Sequence, residues 1–205
     1  MLRRWKRYLW FSIQYFLFEK PKGLDFTMRD KSLLKKSNGL YHGYSKTPEK
    51  HLKEIFDSLV FTGNDMLLDI GCGKGVVLKT AARYPFKKVA GIDINAKCIS
   101  VAAKNFQILG MENQISCWQI DAAGFKHYDE YNVFFLCNPF SGPILEKVAD
   151  KLLEASEKKT VTIIYYNPVY IDIFKQKGEL TVLRQLYDKT KDYHTCIFQI
   201  HPKKG

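Results

Sequence analysis

The sequence predicts an α/β fold: a doubly wound, mostly parallel sheet of seven strands ending in an antiparallel hairpin, with a helical extension in front. Three observations carry this reading. Short continuous apolar runs alternate with helical patterns between residues 66 and 177. The first of these runs leads into a glycine-rich turn, LLDIGCGKG, that opens a helix. The last two strand patterns lie too close together for a crossover helix, so they must pair antiparallel.

Each element has its own signal. Thr47-Pro48-Glu49 reads as a helix start, with Thr as N-cap, Pro at the first helical position and Glu in the first turn. Leu52, Ile55, Phe56 and Leu59 give that helix an apolar face. MLLDI (66–70) is a short buried strand, and a helix follows from about Lys74 to Arg83. VAGID (89–93) is the next strand, with a helix from Ala96 to Leu109. ISCWQI (115–120) and VFFLC (133–137) are strands, the latter followed by a helix from about Pro143 to Glu157. TVTIIYY (160–166) is a strand with a short helix after it, Val169 to Lys177. ELTVLRQL (179–186) and TCIFQI (195–200) form the closing hairpin. Uninterrupted apolar runs of this length imply strands buried on both faces. Two units result: a basic N-terminal helical extension and linker, residues 1–46, and a folded domain, residues 47–205.

Charge is unevenly distributed. Residues 1–50 hold 12 basic and 4 acidic side chains, residues 51–174 hold 13 and 14, and residues 175–205 hold 7 and 3. A neutral middle with basic flanks fits contact with something anionic, a nucleic acid or a membrane surface. The five cysteines are scattered, without a CxxC pair or zinc-ligand spacing, which argues for a reducing compartment and against a disulfide or metal framework. MLRRWKR followed by YLWFSIQYFLF has the opening of a signal peptide, but Glu-Lys-Pro-Lys replaces the small residues of a cleavage site. Its apolar run, residues 8–18, would span ~16 Å as a helix, too short for a bilayer of ~30 Å. Two readings stand for residues 1–20. One is an interfacial helix, with Trp5, Trp10 and Phe11 among headgroups and Arg3, Arg4, Lys6 and Arg7 on anionic lipid. The other is a helix packed on the domain as a lid.

The chemistry gathers at strand ends. Gly71, Gly73 and Gly75 have the spacing G-x-G-x-G, one residue shorter than the dinucleotide fingerprint. Glycine serves there because the chain turns sharply and a ligand lies against bare backbone. Asp69 ends the first strand, where a carboxylate can hold the turn's amides or a cationic group. Asp93 ends the second strand, placed to accept hydrogen bonds from ribose hydroxyls. Asp121 follows the third, within reach of an adenine amino group. Three acidic positions at consecutive strand ends describe a pocket for an adenosine that carries positive charge and no phosphates. Asn138-Pro139-Phe140 ends the fourth strand and Asn167-Pro168 the fifth. No Ser/His/Asp or paired-carboxylate arrangement stands out.

In the order LLDIGCGKG, GIDI, IDA and NPF the chain resembles the class I (seven-strand, Rossmann-like) S-adenosylmethionine-dependent methyltransferases, over about residues 44–200. Within that class, Tyr44-Ser45-Lys46-Thr47-Pro48 resembles the lead-in of small lysine methyltransferases and of a set of uncharacterised bacterial methyltransferases. The resemblance implies S-adenosylmethionine as cofactor and methyl donor, held by Asp69, Gly71, Gly73, Gly75, Asp93 and Asp121, with Tyr44 and Thr47 folding over it. It implies that Asn138 and Phe140 face the acceptor. Methyltransferases acting on nucleic-acid amines carry Asp/Asn-Pro-Pro-aromatic there, and this chain has one Pro fewer, so Phe140 arrives one residue early. The resulting expectation is a cytoplasmic monomer, peripheral at the membrane in the interfacial reading of residues 1–20. It would transfer a methyl group to an amine on a protein or nucleic acid. The alternatives are a small-molecule methyltransferase and a non-catalytic S-adenosylmethionine-binding module on membrane or RNA.

Overall fold

The structure, a computed structural model, describes residues 9–30 and 39–202. The strands are β1 (Met66–Ile70), β2 (Lys88–Asp93), β3 (Ile115–Gln119), β4 (Val133–Leu136), β5 (Val161–Tyr166), β6 (Thr181–Asp188) and β7 (Tyr193–Ile200). The helices beside them are α1 (Glu49–Asp57), α2 (Val76–Ala81), α3 (Ala96–Leu109), α4 (Gly142–Ser156) and α5 (Ile171–Lys177). One sheet holds all seven strands in the order β3-β2-β1-β4-β5-β7-β6. β1 to β5 run parallel, and β7 is antiparallel to both β5 and β6. This is the seven-strand, mostly parallel sheet with a terminal antiparallel hairpin that the sequence predicts.

Burial decides which strands are central. β1 and β4 carry almost only buried Leu, Ile, Val and Phe, and each has helices over both faces. The hairpin is inserted in reverse. β7, the later strand, lies against β5 because Ile197, Phe198 and Ile200 are buried there. β6 takes the edge, since Thr181, Arg184 and Gln185 tolerate water, and a register shift at Val182/Arg184 breaks the edge ladder. β3 departs from expectation: it is the opposite edge, and most of its side chains are partly or fully exposed. Its run ISCWQ holds Ser, Trp and Gln, which an edge accepts and a two-faced interior does not.

The helix boundaries follow from caps. α3 starts where Asn95 Oδ1 accepts from the backbone N–H groups of Lys97 and Cys98, and ends at Gly110 in the left-handed region. For α1 the expected N-cap is corrected by one residue: Pro48 occupies that position, and no side chain caps the helix. Thr47 instead turns its hydroxyl toward Cys137 Sγ, 3.6 Å away.

The residues preceding the domain form more than a linker. From residue 9 the chain is helical, widening from an α-helix into a π-helical turn (Tyr15–Glu19) and then tightening into a 3-10 turn (Lys20–Lys22). Leu24 and Phe26 then enter the core layer formed with α1, α2 and α3. Asp25 pairs with Lys74 at 2.6 Å, and Asn105 holds the Asp25 backbone from both sides. The expected connecting segment is thus, over residues 24–30, part of the folded unit. Arg3, Arg4, Trp5, Lys6 and Arg7, read as the headgroup-facing start of the extension, lie outside the described residues.

Candidate active site

A cavity of about 220 Å³ opens at the carboxyl ends of β1, β2, β4 and β5. The sheet reverses its winding between β1 and β4, and such a switch point leaves a crevice between loops that diverge to opposite faces. The chain 41–47 covers it. His42 N donates to Pro139 O, Ser141 N donates to Leu40 O, and His42 Nδ1 lies 2.7 Å from Asn138 O. This strap therefore pairs along the backbone of the Asn-Pro-Phe segment.

The glycine turn forms the floor. Gly71 has φ +83°, and a Cβ there would lie 2.5 Å from Pro139 Cβ. Glycine thus supplies both the left-handed backbone and the room for the Asn-Pro-Phe loop to lie against β1. At Gly73 a Cβ would meet the Tyr44 ring at 2.1 Å. Tyr44 lies directly on the turn, its hydroxyl donating to Phe26 O and Lys74 Nζ 5.6 Å from its ring centroid. Of the three glycines only Gly71 lines the cavity: Gly73 lies beneath the Tyr44 ring, and Gly75 sits against the Phe106 ring just before α2.

The acidic residues divide by environment. Asp69 is 1% exposed, lines the cavity, and its Oδ2 has no hydrogen-bond partner. Burial, and secondarily the negative charge of Asp93, push its carboxyl well above the usual range. Asp93 also lines the cavity. It accepts from Gly73 N and Asn95 N, both at 2.8 Å, and these bonds counter the upward push of burial without cancelling it. Asp121 differs from expectation. Its Oδ1 accepts from Tyr41 Oη and Ala123 N, each at 3.1 Å, while its neighbours Ile120 and Ala122 face the cavity instead. It caps the turn after β3.

At the other end Asn138 and Asn167 both line the cavity in left-handed backbone, φ +43° and +54°. Tyr165 Oη lies 3.5 Å from Asn138 Oδ1. Phe140 borders the cavity, yet it is only 3% exposed and packs with Ile144 and Leu145 in the core. Its ring forms a wall and does not stand free for stacking. Thr47 and Cys137 complete this end, and burial raises the Cys137 thiol. Sequence reasoning missed Lys191. It lies in the β6–β7 turn, is 5% exposed, lines the cavity and donates to Ser45 Oγ at 3.0 Å. Its surroundings, Asp-Lys-Thr-Lys-Asp, read as a solvated hairpin turn, so nothing local marked it.

The donor set can be matched to a ligand from these observations. A buried carboxylate without a partner calls for a cation, since an isolated buried charge is costly. A left-handed glycine turn leaves backbone bare, and Ile92, Ile94, Ile120 and Ala122 offer an apolar slot. These features fit S-adenosylmethionine: an ammonium for Asp69, ribose hydroxyls for Asp93, and a purine for the slot.

The chain is similar to known methyltransferases. Residues 67–157 match the family model of a methyltransferase domain. A protein-lysine N-methyltransferase of Saccharolobus islandicus is 32% identical over 74 residues, 36% of this chain and 46% of that protein. An rRNA N(6)-adenosine-methyltransferase of Caenorhabditis elegans is 28% identical over 71 residues, 34% of this chain and 33% of that protein. The chain thus spans less than half the length of these relatives. The crystal structure of an RNA methyltransferase from Salinibacter ruber in complex with S-adenosylhomocysteine superposes with a TM-score of 0.56 at 18% identity, covering 78% of this chain and 95% of that one. The fold is that of the class I S-adenosylmethionine-dependent methyltransferases, and residues 67–157 are similar to a methyltransferase domain.

Proposed function

We propose that the protein transfers a methyl group from S-adenosylmethionine to an amine acceptor on a macromolecule. The observation that carries the donor half is Asp69, whose buried carboxyl lines the cavity beside the Gly71–Gly73 turn with Oδ2 lacking a hydrogen-bond partner. In this reading Asp69 holds the donor's ammonium, Asp93 holds the ribose, and Tyr44 and Thr47 close the strap over it. Lys191 is the cation for the donor's carboxylate. Asp69 and Lys191 both line the cavity, an acid and a base around one space. That polarity suits the zwitterionic end of an amino acid.

The sulfonium donor supplies an activated methyl group, so the chain's own task is alignment and exclusion of water. The Asn138 amide oxygen is the acceptor-side group that can receive a hydrogen bond from an amine and orient its lone pair. Phe140 keeps that wall rigid. Relatives that act on protein lysine and on rRNA adenosine support an amine on a macromolecule, as do the basic flanks.

Incubating the protein and a cell extract with methyl-labelled S-adenosylmethionine tests this directly. Label is expected in the protein or RNA fraction and in neither after Asn138→Ala. Label confined to small molecules would replace the acceptor assignment. Absence of S-adenosylhomocysteine binding in calorimetry would overturn the donor site itself.

A further inference from the structure

The helix that begins the described chain turns its apolar side outward. Leu9, Trp10, Ile13, Phe16 and Leu17 recur at the spacing of one helix face, and all are exposed, Trp10 at 54% and Leu17 at 65%. Phe18 beside them is exposed as well. An apolar stripe on a surface helix ordinarily packs on its own domain, and a contiguous exposed one marks an interaction surface. The stripe is not loosely placed. At its base Glu19 is buried and accepts hydrogen bonds from Phe26 N, Thr27 N, Thr27 Oγ1 and Lys46 Nζ. The helix is thus fixed to the strap that covers the donor cavity, with its apolar side left in water.

We propose that this helix docks the protein on a lipid bilayer with anionic headgroups. The helical residues 9–22 span ~21 Å, against roughly 30 Å of hydrocarbon. Among the described residues no helix is long and apolar enough to cross a membrane, so the segment lies on the surface. Charge selects the headgroup. Arg3, Arg4, Lys6 and Arg7 precede the stripe in sequence, and exposed Lys20 and Lys22 follow it. The acids of this region face inward: Glu19 pairs with Lys46, Asp25 with Lys74 and Asp30 with Lys97. Basic residues thus flank the apolar face on both sides in sequence, the pattern of an interfacial helix on anionic lipid. Phosphates of RNA would satisfy the charges but give no apolar medium to Leu9, Ile13 and Leu17. A second copy would bring no negative charge to meet these basic residues. Because Glu19 and Lys46 join helix and strap, docking fixes how the cavity stands relative to the membrane.

The test uses the full chain and extruded vesicles of phosphatidylcholine alone or mixed equally with phosphatidylglycerol. Sedimentation with the mixed vesicles is expected, with little on phosphatidylcholine alone, a blue shift of tryptophan emission, and release by added salt. Substituting Trp10→Ser, Phe16→Ser and Leu17→Ser together should weaken partitioning by about tenfold or more. Leu9→Ser with Ile13→Ser gives an independent second variant. Both variants should keep the parent's circular dichroism and S-adenosylhomocysteine affinity, which separates this proposal from the donor-site reading. No sedimentation with mixed vesicles at low salt would overturn it. So would RNA binding that both variants retain, or a dimer in the parent that both variants dissolve.

Discussion

The Asp69 carboxyl and the Lys191 ammonium line the same cavity, yet their circumstances differ. Lys191 has Ser45 as a partner, and Asp69 keeps one oxygen unsatisfied. The raised pKa of Asp69 means that the folded chain binds this proton more tightly than the unfolded chain. In the free protein its contribution to stability is therefore largest at low pH and declines as pH rises from 3.8 toward the raised value. A ligand ammonium favours the ionised form, so binding should expel the proton. Calorimetry of S-adenosylhomocysteine at mildly acidic pH, in buffers of different ionisation heat, should show net proton release and an affinity that rises with pH. For Lys191 the informative pair of ligands is S-adenosylhomocysteine and 5′-methylthioadenosine, which lacks the amino-acid end. Lys191→Met should weaken the first by about ten- to a hundredfold and leave the second unchanged. Equal loss on both would assign Lys191 only to holding Ser45. Asp69 and Asp93 lie at strand ends that open on the cavity, a position legible in the sequence, whereas Asp121 at the third strand end bonds to Tyr41 instead. Lys191 was not, since its burial depends on Ser45, 146 positions away.

Among the elements, the strap and the N-terminal helix form one cooperative unit through Glu19, Lys46, Glu49 and Lys79. Lys46 Nζ lies 3.0 Å from both Glu19 Oε1 and Glu49 Oε1, and Lys79 Nζ lies 2.6 Å from Glu49 Oε2. Burial would raise both glutamates, but the hydrogen bond from Thr27 and the charge of Lys46 win at Glu19. The charges of Lys46 and Lys79 win at Glu49 and hold it at about 2. A lowered carboxyl pKa adds stability that is complete above 4.5 and is lost as pH falls toward about 2. Hydrogen-exchange protection at Phe26 and Thr27 should therefore drop across that window before β1 and β4 lose theirs. Glu19→Gln should produce the same local opening at neutral pH, by about 2 kcal/mol. None of this was readable in residues 20–46, where charge and glycine suggest a plain connector. The ion pairs that fold the segment join residues up to 67 positions apart.

On the scale of the whole molecule, the cavity is lined from the ends of β1 to β5, the β6–β7 turn and the strap. A ligand held by so many separate segments should stabilise the entire domain by mass action. At a hundredfold excess over Kd, S-adenosylhomocysteine should raise Tm by about 5–10 °C. Scanning calorimetry with and without ligand checks this, and 5′-methylthioadenosine at the same multiple of its own Kd should match it. A shift confined to the strap would show that the site is not integrated into the domain.

Taken alone, the chain determined its class of fold and the chemistry of its donor. Apolar runs, caps and the glycine turn are local, and Asp69, Asp93 and Asp121 fall at strand ends whatever the strand order. Tertiary structure decided the rest. β7 lies inside β6 because its apolar residues compete better for burial beside β5. Asp121 bonds to Tyr41, and Phe140 became wall because the strap pairs with its backbone. The N-terminal stripe faces water because Glu19 holds the base of the helix to residues 26–46. Each of these outcomes depends on contacts between distant segments, and such contacts leave no pattern in the sequence around either partner.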